Sequence, residues 1–181
     1  MQKPIKMTKY KFLSKKKIWI AGHNGMVGSA LYRKLRKHNL NLLTASKSML
    51  DLRNQSDVDN WIKEKKPNII FLAAAKVGGI LENNNYPADF IIDNLKIQTN
   101  VISSAFRHNV KKILFLGSAC IYPVSDKPIK ESELLTGKLE TTNQAYSVAK
   151  IAGIEMCRSL TKQYNVEYIT VQPNNLYGPN D

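Results

Sequence analysis

The sequence predicts an α/β fold, in which helices cover both faces of a doubly wound parallel sheet. Three observations support this fold. Short apolar runs alternate along the chain with longer amphipathic stretches, an order that favours parallel strands joined by helical crossovers. The apolar runs contain few polar residues, as is typical of strands that are buried on both faces. A glycine-rich segment follows the first run and leads into the first amphipathic stretch.

Five strands and four long helices are predicted, with no internal repeat and no linker between domains. Each strand is a short run dominated by apolar side chains, at residues 18–21, 40–43, 69–72, 112–116 and 168–171. Each helix has apolar side chains at helical spacing, over residues 26–37, 58–65, 90–106 and 143–164. Pro67 ends the second helix, because proline disfavours the helical conformation of the residue before it. The polar segment 123–142 is predicted to be one long surface loop, whose length suggests a function.

The bulk composition favours a globular protein without a membrane span. Hydrophobic residues make up 43% of the chain and charged residues 23%, which are ordinary values for a globular domain. No run of about 18 apolar residues is present, so no transmembrane helix and no membrane partner are predicted. The polar, lysine-rich start lacks the apolar core of a signal peptide, and we therefore expect a cytoplasmic protein.

The net charge of +13 is concentrated at the start of the chain. Seven lysines and no acidic residue occur within the first 17 residues. Residues 1–15 are therefore predicted to be a basic, flexible tail, and residues 16–181 to be the domain. A basic chain can bind nucleic acid, but no base-stacking or groove-reading motif is visible, so no nucleic-acid partner is predicted. The mildly basic remainder suits an anionic nucleotide substrate.

The glycine-rich segment has the spacing G-x-x-G-x-x-G between the first strand and the first helix. Glycines let the backbone approach a pyrophosphate closely, and the start of a helix offers free N–H groups to it. This context is that of the dinucleotide-binding turn of a Rossmann fold, although a tight turn alone would also need glycine. The predicted cofactor contacts in this segment are Gly22, His23, Asn24, Gly25, Met26, Val27 and Gly28.

The end of the second strand favours NADP(H) over NAD(H). An NAD site usually has an acidic residue there, which binds the ribose hydroxyls. In this chain the first acid is Asp51, whereas Ser46 and Lys47 come earlier and suit a 2′-phosphate. The alternative is that Lys47 is an ordinary solvated lysine.

A Tyr and a Lys four residues apart in the last long helix are candidates for proton transfer. Tyr146 and Lys150 share one face of the helix. A free tyrosine, with a pKa of about 10, is a poor acid–base group at neutral pH. The ammonium of Lys150, together with the positive charge of the nicotinamide when it is oxidised, is expected to lower the pKa of Tyr146. Ser118 follows the fourth strand, where its hydroxyl is expected to bind the same substrate oxygen. By itself, a YxxxK pattern is more often an ordinary helix surface.

The order of glycine turn, Ser118 and YxxxK resembles the extended short-chain dehydrogenase/reductase family. A finer resemblance, from about residue 16 to the last residue, is to the GDP-L-fucose synthases within it. Five segments carry that resemblance: GHNGMVGSA at 22–30, AAAKVGGI at 73–80, YPADFI at 86–91, LGSACIYP at 116–123 and PNNLYGP at 173–179. The second and fourth segments are far more specific than the general motifs.

The resemblance implies an NADPH-dependent reaction on a GDP-sugar. These enzymes invert C3 and C5 of GDP-4-keto-6-deoxy-D-mannose and reduce its C4 ketone, which gives GDP-L-fucose. Carried over, Tyr146 protonates the C4 oxygen, Lys150 binds the nicotinamide ribose and lowers the pKa of Tyr146, and Ser118 orients the carbonyl. The implied cofactor contacts also include Ala74, Leu116, Gly117, Ser118, Lys150, Pro173, Asn174, Asn175 and Leu176. The segment 76–79 is expected to border cofactor and sugar, although its glycines also suit a simple turn.

Cys120 is the implied catalytic residue of the two epimerisations. These steps remove protons beside a ketone and return them to the opposite face of the sugar. Without the resemblance, Cys120 would be interpreted as a packed thiol, as Cys157 is. Two cysteines are too few for a disulfide scaffold or a zinc cluster, and no metal site is predicted.

The chain departs from the family pattern at its end. The family's partner histidine lies beyond the last residue, and His23, His38 and His108 do not replace it by position. We therefore expect a Rossmann domain whose C-terminal substrate domain is largely missing. Two alternatives to the synthase reaction remain: NADP(H) binding without catalysis, and another sugar-nucleotide epimerase or dehydratase of the superfamily. A homodimer formed through the two long helices is also implied, although those helices could simply pack on the sheet.

Overall fold

A computed structural model describes residues 10–179 and confirms the predicted α/β fold. Its centre is a five-stranded parallel sheet in the order β2-β1-β3-β4-β5. The strands are β1 (Lys17–Ala21), β2 (Asn41–Leu43), β3 (Ile69–Leu72), β4 (Lys112–Leu116) and β5 (Glu167–Val171). The helices are α1 (Met26–Leu35), α2 (Gln55–Lys65), α3 (Ile80–Asn85), α4 (Pro87–Arg107) and α5 (Gln144–Tyr164).

Local sequence signals set several helix boundaries. The side chain of Asn54 accepts hydrogen bonds from the Ser56 and Asp57 amides, so α2 begins earlier than the predicted residue 58. Pro87 opens α4, where its missing N–H has no helical partner to lose. Asn165 ends α5 in the left-handed conformation, with φ of 53°, which asparagine tolerates well.

The core lies mainly between the sheet and the three helices α2, α4 and α5. The first strand sends Trp19 to this face and Ile18 to the other, as alternate residues of a strand do. A smaller cluster on the other face joins Ile18 and Ile69 to Leu13. Both faces of β1 are therefore buried, which explains its uninterrupted apolar sequence.

The strand order creates a crevice between β1 and β3. The chain leaves β1 toward β2 on one side and returns to β3 on the other. The loops that follow these two strands therefore diverge at the carboxyl edge of the sheet. Such switch points are where open α/β sheets bind ligands.

Three differences from the sequence prediction concern short segments. The helix α3 was not predicted, because its polar run of asparagines lacks an apolar repeat. The predicted loop 123–142 contains two single turns of 3-10 helix, at Glu131–Glu133 and Thr141–Asn143. Residues 1–9 of the predicted tail lie outside the described residues. At residues 10–15, a 3-10 turn forms at Lys11–Leu13 and Leu13 is buried, so packing begins before residue 16.

Within residues 10–179, none of the helices combines the length and the apolar character needed to cross a membrane.

Candidate active site

A cleft of about 490 Å³ opens at the carboxyl ends of β1, β2, β3 and β4. The loops that follow the first three strands, the end of β4 and one side of α4 form its walls. The cleft is lined by Gly22, Gly25, Met26, Val27, Ala45, Lys47, Leu50, Asp51, Leu52, Arg53, Ala73, Ala74, Ala75, Lys76, Val77, Asp93, Ile97 and Leu116. It therefore lies at the switch point, where the glycine turn was expected to bind a dinucleotide.

The three glycines of the turn differ in whether the surrounding protein leaves room for a side chain. Gly22 has φ of 89°, and a Cβ on it would lie 2.6 Å from the Ala74 amide nitrogen. A Cβ on Gly28 would overlap the carbonyl oxygen of Gly22. At Gly25 a Cβ would meet only that same oxygen, at an ordinary contact distance of 3.6 Å. Packing within the protein thus requires Gly22 and Gly28, whereas Gly25 faces the cleft at the start of α1.

The bare surface at Gly25 fits a phosphate group. Gly25 is the residue that precedes the first turn of α1, and no side chain caps that turn. The free N–H groups of a helix start attract anions, and the missing Cβ leaves them open to the cleft.

An ion-pair network forms the wall that follows β2. Arg53 donates to both carboxylate oxygens of Asp51, with Nη2 2.6 Å from Oδ2 and Nε 3.0 Å from Oδ1. Its Nη1 lies 3.3 Å from Oδ2 of Asp93 on α4. The hydrogen bonds from Arg53, and more weakly the charge of Lys47, lower the pKa of Asp51 to about 2. Asp51 is therefore ionised at every pH near neutrality.

The wall that follows β3 is fixed by a buried asparagine of α4. The Lys76 amide donates to Oδ1 of Asn94, and Nδ2 of Asn94 donates to the Lys76 carbonyl, both at 2.9 Å. The Lys76 ammonium lies 3.0 Å from Asp89 and 4.0 Å from Asp93. This pairing holds the 76–79 segment against α4, with Lys76 itself in the cleft wall.

Ser118 and Cys120 follow β4 in a single turn of 3-10 helix. The Cys120 amide donates to Oγ of Ser118 at 3.3 Å. Ser147 of α5 donates from its Oγ to the Cys120 carbonyl at 3.0 Å. The turn is thus attached to α5 at the residue that follows Tyr146, which brings the Ser118 and Cys120 segment beside the YxxxK motif.

Lys150 is almost completely buried at the end of β4. Lys150 is 3% exposed, and its ammonium donates to the Leu116 carbonyl at 2.8 Å. Burial lowers the pKa of Lys150 to about 8, because the charged form loses its hydration. The ammonium also lies 5.6 Å from the centre of the Tyr146 ring.

The pKa of Tyr146 moves in the direction opposite to the one expected. Burial, and then the neighbouring Cys120, raise it to about 12, while a hydrogen bond with Ser118 lowers it by less. The ring packs edge-on against the buried Phe90 of α4, with the ring centres 6.5 Å apart. The ammonium of Lys150 is engaged with the Leu116 carbonyl, and desolvation of the phenol dominates.

The structure brings only part of the predicted cofactor set into the cleft. The predicted residues that line it are Gly22, Gly25, Met26, Val27, Lys47, Ala74 and Leu116. The 173–176 segment lies beside the turn that holds Ser118 and Cys120, because the Ala119 amide donates to the Pro173 carbonyl at 3.0 Å. Neither His23 nor Gly117 lines the cleft, and Asn174, Asn175 and Leu176 are exposed outside it. Cys157 is buried in the core, as predicted.

Sequence reasoning missed Arg53 and Asp93 as cleft residues. Arg53 lies two residues after Asp51, the first acid beyond β2, so a local signal was present but weak. Asp93 follows Arg53 by 40 residues and belongs to α4. No local pattern indicates such a long-range pair.

The chain matches the model of the NAD dependent epimerase/dehydratase family over residues 18–181. It is 51% identical to a GDP-L-fucose synthase of Sinorhizobium fredii, over 93% of this chain and 54% of the relative. It is 48% identical to the GDP-L-fucose synthase of Escherichia coli, over 93% and 53%. The chain thus spans about half the length of the curated relatives it matches.

Solved structures of sugar-nucleotide enzymes also superpose on this chain. A GDP-mannoheptose C4 reductase from Campylobacter jejuni, solved with NADP bound, superposes with a TM-score of 0.86 at 44% identity. The match covers 90% of this chain and 52% of the reductase. A UDP-glucose 4-epimerase from Thermus thermophilus has a TM-score of 0.77 at 18% identity, over 90% and 56%, which is a likeness of fold alone.

Proposed function

The chain belongs to the NAD dependent epimerase/dehydratase family, and we propose that it is the NADP(H)-binding part of a GDP-sugar epimerase–reductase. The proposed reaction converts GDP-4-keto-6-deoxy-D-mannose to GDP-L-fucose by epimerisation at C3 and C5 and reduction at C4. The observation that carries the proposal is the convergence of Ser118, Cys120, Tyr146 and Lys150 at the end of β4, beside a cleft with a dinucleotide-binding turn. Residues 16–181 would form the NADP(H)-binding domain.

The cleft fits NADP(H) on structural grounds. The open helix start at Gly25 suits the pyrophosphate, and Lys47 in the same cleft suits the 2′-phosphate. Lys150 and the Pro173 segment would hold the nicotinamide end. When bound, NADPH supplies the hydride for reduction of the C4 ketone.

Tyr146 would supply the proton for the C4 oxygen. Its raised pKa keeps the phenol protonated at neutral pH, so it meets the substrate as an acid. The carbonyl carbon gains the hydride and its oxygen gains the phenol proton, which leaves a phenolate. The nearby Lys150, which is mostly charged at pH 7, stabilises that phenolate. Ser118 orients the carbonyl through its hydroxyl.

Cys120 would take part in the two epimerisations. The ketone at C4 acidifies the hydrogens at C3 and C5, so a thiolate can remove a proton from the carbon beside the ketone. An acid then returns a proton to the opposite face. Cys120 is only partly buried and neighbours Tyr146, the group proposed to act on C4, which supports this role.

Deuterium incorporation tests this proposal. The chain, joined to the C-terminal half of a GDP-L-fucose synthase so that the partner histidine and the substrate domain are present, is incubated with NADPH and GDP-4-keto-6-deoxy-D-mannose in D₂O, and the product is identified by NMR. We expect GDP-L-fucose with deuterium at C3 and C5. The Cys120→Ser variant, which keeps the shape of the site, should lose deuterium incorporation. Unlabelled GDP-L-fucose from the parent chain would contradict the role of Cys120.

A second candidate is a GDP-sugar C4 reductase that does not epimerise. The 44% identity to the Campylobacter jejuni GDP-mannoheptose C4 reductase favours it. A product reduced at C4, without deuterium at C3 or C5, would support this candidate over the first. NADPH binding without NADPH oxidation would instead indicate a binding module, the alternative left open by the sequence.

We further propose that the chain forms a homodimer through the outer faces of α4 and α5. The two helices pack along each other and leave an apolar groove between them, lined in part by Phe106, Met156 and Leu160. The mass in solution, measured by light scattering, tests this proposal. A value near the 20.5 kDa of one chain would contradict it.

A further inference from the structure

We infer that the edge of the sheet opposite the cleft binds the surface of an anionic lipid bilayer. This edge, called here the basic edge, consists of the five segments that lead into the strands, at residues 15–17, 36–38, 63–66, 111–112 and 162–167. The inference goes beyond the proposed reaction and does not depend on it. The sequence prediction of no membrane partner concerned a spanning helix, whereas a peripheral contact needs none.

The parallel topology brings these five segments to one end of the domain. All five strands run in the same direction, so their amino ends share one edge of the sheet, and the cleft lies at the other. Hydrogen bonds join segments that are distant in sequence. The Lys17 ammonium donates to the Lys65 carbonyl at 3.1 Å, and the Glu167 amide donates to the Lys111 carbonyl at 3.3 Å. The basic edge is therefore a continuous surface.

The basic edge carries most of the net charge of the chain. Its segments contain eleven lysines and arginines but only two acidic residues, Glu64 and Glu167, which is a formal excess of +9 against +13 for the whole chain. The charges that line the cleft nearly cancel, with three cations against two carboxylates. The excess of positive charge is therefore remote from the proposed nucleotide site, and an anionic cofactor does not account for it.

Stabilisation of helix ends explains only part of this charge. Cations in the last turn of a helix interact favourably with its dipole, which accounts for Lys63 and Lys65 of α2 and for Lys162 of α5. Residues 15–16 and Lys111 are exposed lysines outside the helices. Like charges gathered at one edge repel one another, and contact with an anionic surface relieves that repulsion.

An exposed aromatic side chain lies beside the basic edge. Phe12 belongs to the 3-10 turn Lys11–Leu13 and is 70% exposed. Leu13 packs with Ile18 of β1 and Ile69 of β3, so the turn is held at the amino ends of these two strands. An aromatic ring flanked by lysines suits the surface of a bilayer, where the ring enters the boundary of the acyl chains and the lysines meet anionic headgroups.

The shape of the basic edge favours a bilayer over a nucleic acid. Its cations come from five separate segments across the end of a sheet, and none of them lines the cleft or the groove between α4 and α5. Proteins that bind nucleic acid place a helix or a ribbon in its groove, or stack several aromatic side chains on its bases. A bilayer needs only a broad basic face. Binding through this edge also leaves the cleft, at the opposite end, open to the solution.

Cosedimentation with lipid vesicles tests the inference on the whole chain. The vesicles consist of phosphatidylcholine alone or with about 30% phosphatidylserine. We expect binding to the phosphatidylserine vesicles only, and release in about 0.5 M NaCl, because salt screens exposed charges. The triple variant Lys15→Gln, Lys16→Gln and Lys111→Gln should lower the partition coefficient at least about tenfold. Phe12→Ser should lower it by a smaller factor, because it removes the ring and none of the charge.

The matched control removes three exposed lysines outside the basic edge, by Lys96→Gln, Lys127→Gln and Lys138→Gln. It has the same net charge as the first triple variant and should bind nearly as well as the parent chain. Equal losses in the two triple variants, both folded by circular dichroism, would overturn the inference. Absence of binding by the parent, or equal binding to neutral vesicles, would also overturn it. A parent chain that binds single-stranded poly(U) but not phosphatidylserine vesicles would assign the basic edge to nucleic acid instead.

Discussion

The wall of the cleft after β2, called here the first wall, keeps its charges near the surface. The region beside the cleft where α5 packs against the end of β4, called here the second wall, buries them, and only its Leu116 lines the cleft. At the first wall, the side chains of Arg53 and Asp51 are 37% and 36% exposed and neutralise each other directly. At the second wall, Lys150 is 3% exposed and has only a carbonyl partner. The first wall therefore has stable charges at all ordinary pH values. At the second wall, burial raises the pKa of Tyr146 to about 12 and lowers the pKa of Lys150 to about 8.

This difference in burial suits the first wall to binding of the cofactor and the second wall to proton transfer. Exposed ion pairs contribute little to stability and are screened by salt, but they discriminate between ligands of different charge. Buried ionisable groups destabilise the fold, because their charged forms lose hydration. Burial also changes their pKa values, and such changes are typical of groups that transfer protons in active sites. We therefore expect variants at the first wall to change affinity, and variants at the second wall to change rate, pH dependence and stability.

The largest expected effect is on rate, at Tyr146. Removal of its hydroxyl in Tyr146→Phe should lower the rate of NADPH oxidation with the keto-sugar by about 10²- to 10⁴-fold, the usual contribution of a general acid. NADPH affinity should remain the same. The control is Tyr168→Phe, which removes a buried hydroxyl that donates to the Val110 carbonyl, far from the YxxxK motif. An undiminished rate in Tyr146→Phe would place the chemistry elsewhere and break the comparison.

The next effect is on stability, at Lys150. Its folded pKa of about 8 lies below the ordinary 10.5, so the unfolded chain binds more protons between these two pH values. The penalty of burying the ammonium is therefore present below pH 8 and disappears as the pH rises toward 10.5, a change of about 3 kcal/mol.

Lys150→Met should remove this pH dependence. At pH 7 the variant should be more stable than the parent by about 1–3 kcal/mol, because the penalty for burying the ammonium is gone. The gain is smaller than the full penalty, because the hydrogen bond to the Leu116 carbonyl is lost as well. The difference between the two proteins should shrink between pH 8 and 10.5. Urea unfolding at several pH values measures it. A variant less stable than the parent at pH 7 would mean that Lys150 is not penalised by burial.

A smaller effect separates two glycines of the turn. Gly28→Ala should destabilise the fold by about 1–3 kcal/mol, because the added Cβ overlaps the Gly22 carbonyl oxygen. Gly25→Ala should leave the unfolding free energy nearly unchanged and weaken NADPH binding, because the Cβ enters the cleft. Thermal unfolding and nucleotide titration distinguish the two outcomes. Equal losses of stability would show that Gly25 serves the fold and not the ligand.

The sequence predicted those parts of the fold that depend on local patterns. The strands β3 and β4 have the predicted bounds, because Pro67 and Asn68 precede the apolar run of β3 and Gly117 follows that of β4. The glycine turn was also predicted, since its spacing and its strand–helix context lie within ten residues. By contrast, α3 escaped prediction because its six residues are mostly polar and too few for an apolar repeat.

Properties that depend on packing between distant residues were not predictable in this way. The contact between Arg53 and Asp93 joins residues 40 positions apart, and neither belongs to a motif. The predicted lowering of the Tyr146 pKa by the ammonium of Lys150 is wrong for the same reason. The YxxxK spacing places Lys150 on the same helix face, but burial of the phenol against Phe90 outweighs it. Which elements pack against a side chain is information that the spacing of motifs does not contain.

The smallest expected effect is the change in stability caused by replacing Arg53. Its dependence on salt distinguishes the exposed charges of the first wall from the buried charges of the second. Arg53→Gln should change the free energy of unfolding by less than about 1 kcal/mol, because its ion pairs are solvent-exposed. In about 1 M NaCl, where the Debye length is near 3 Å, that difference should vanish. The difference between the parent and Lys150→Met should persist at the same salt concentration, because desolvation is not screened by ions. If both differences respond alike to salt, the two walls do not differ in the way that their burial predicts.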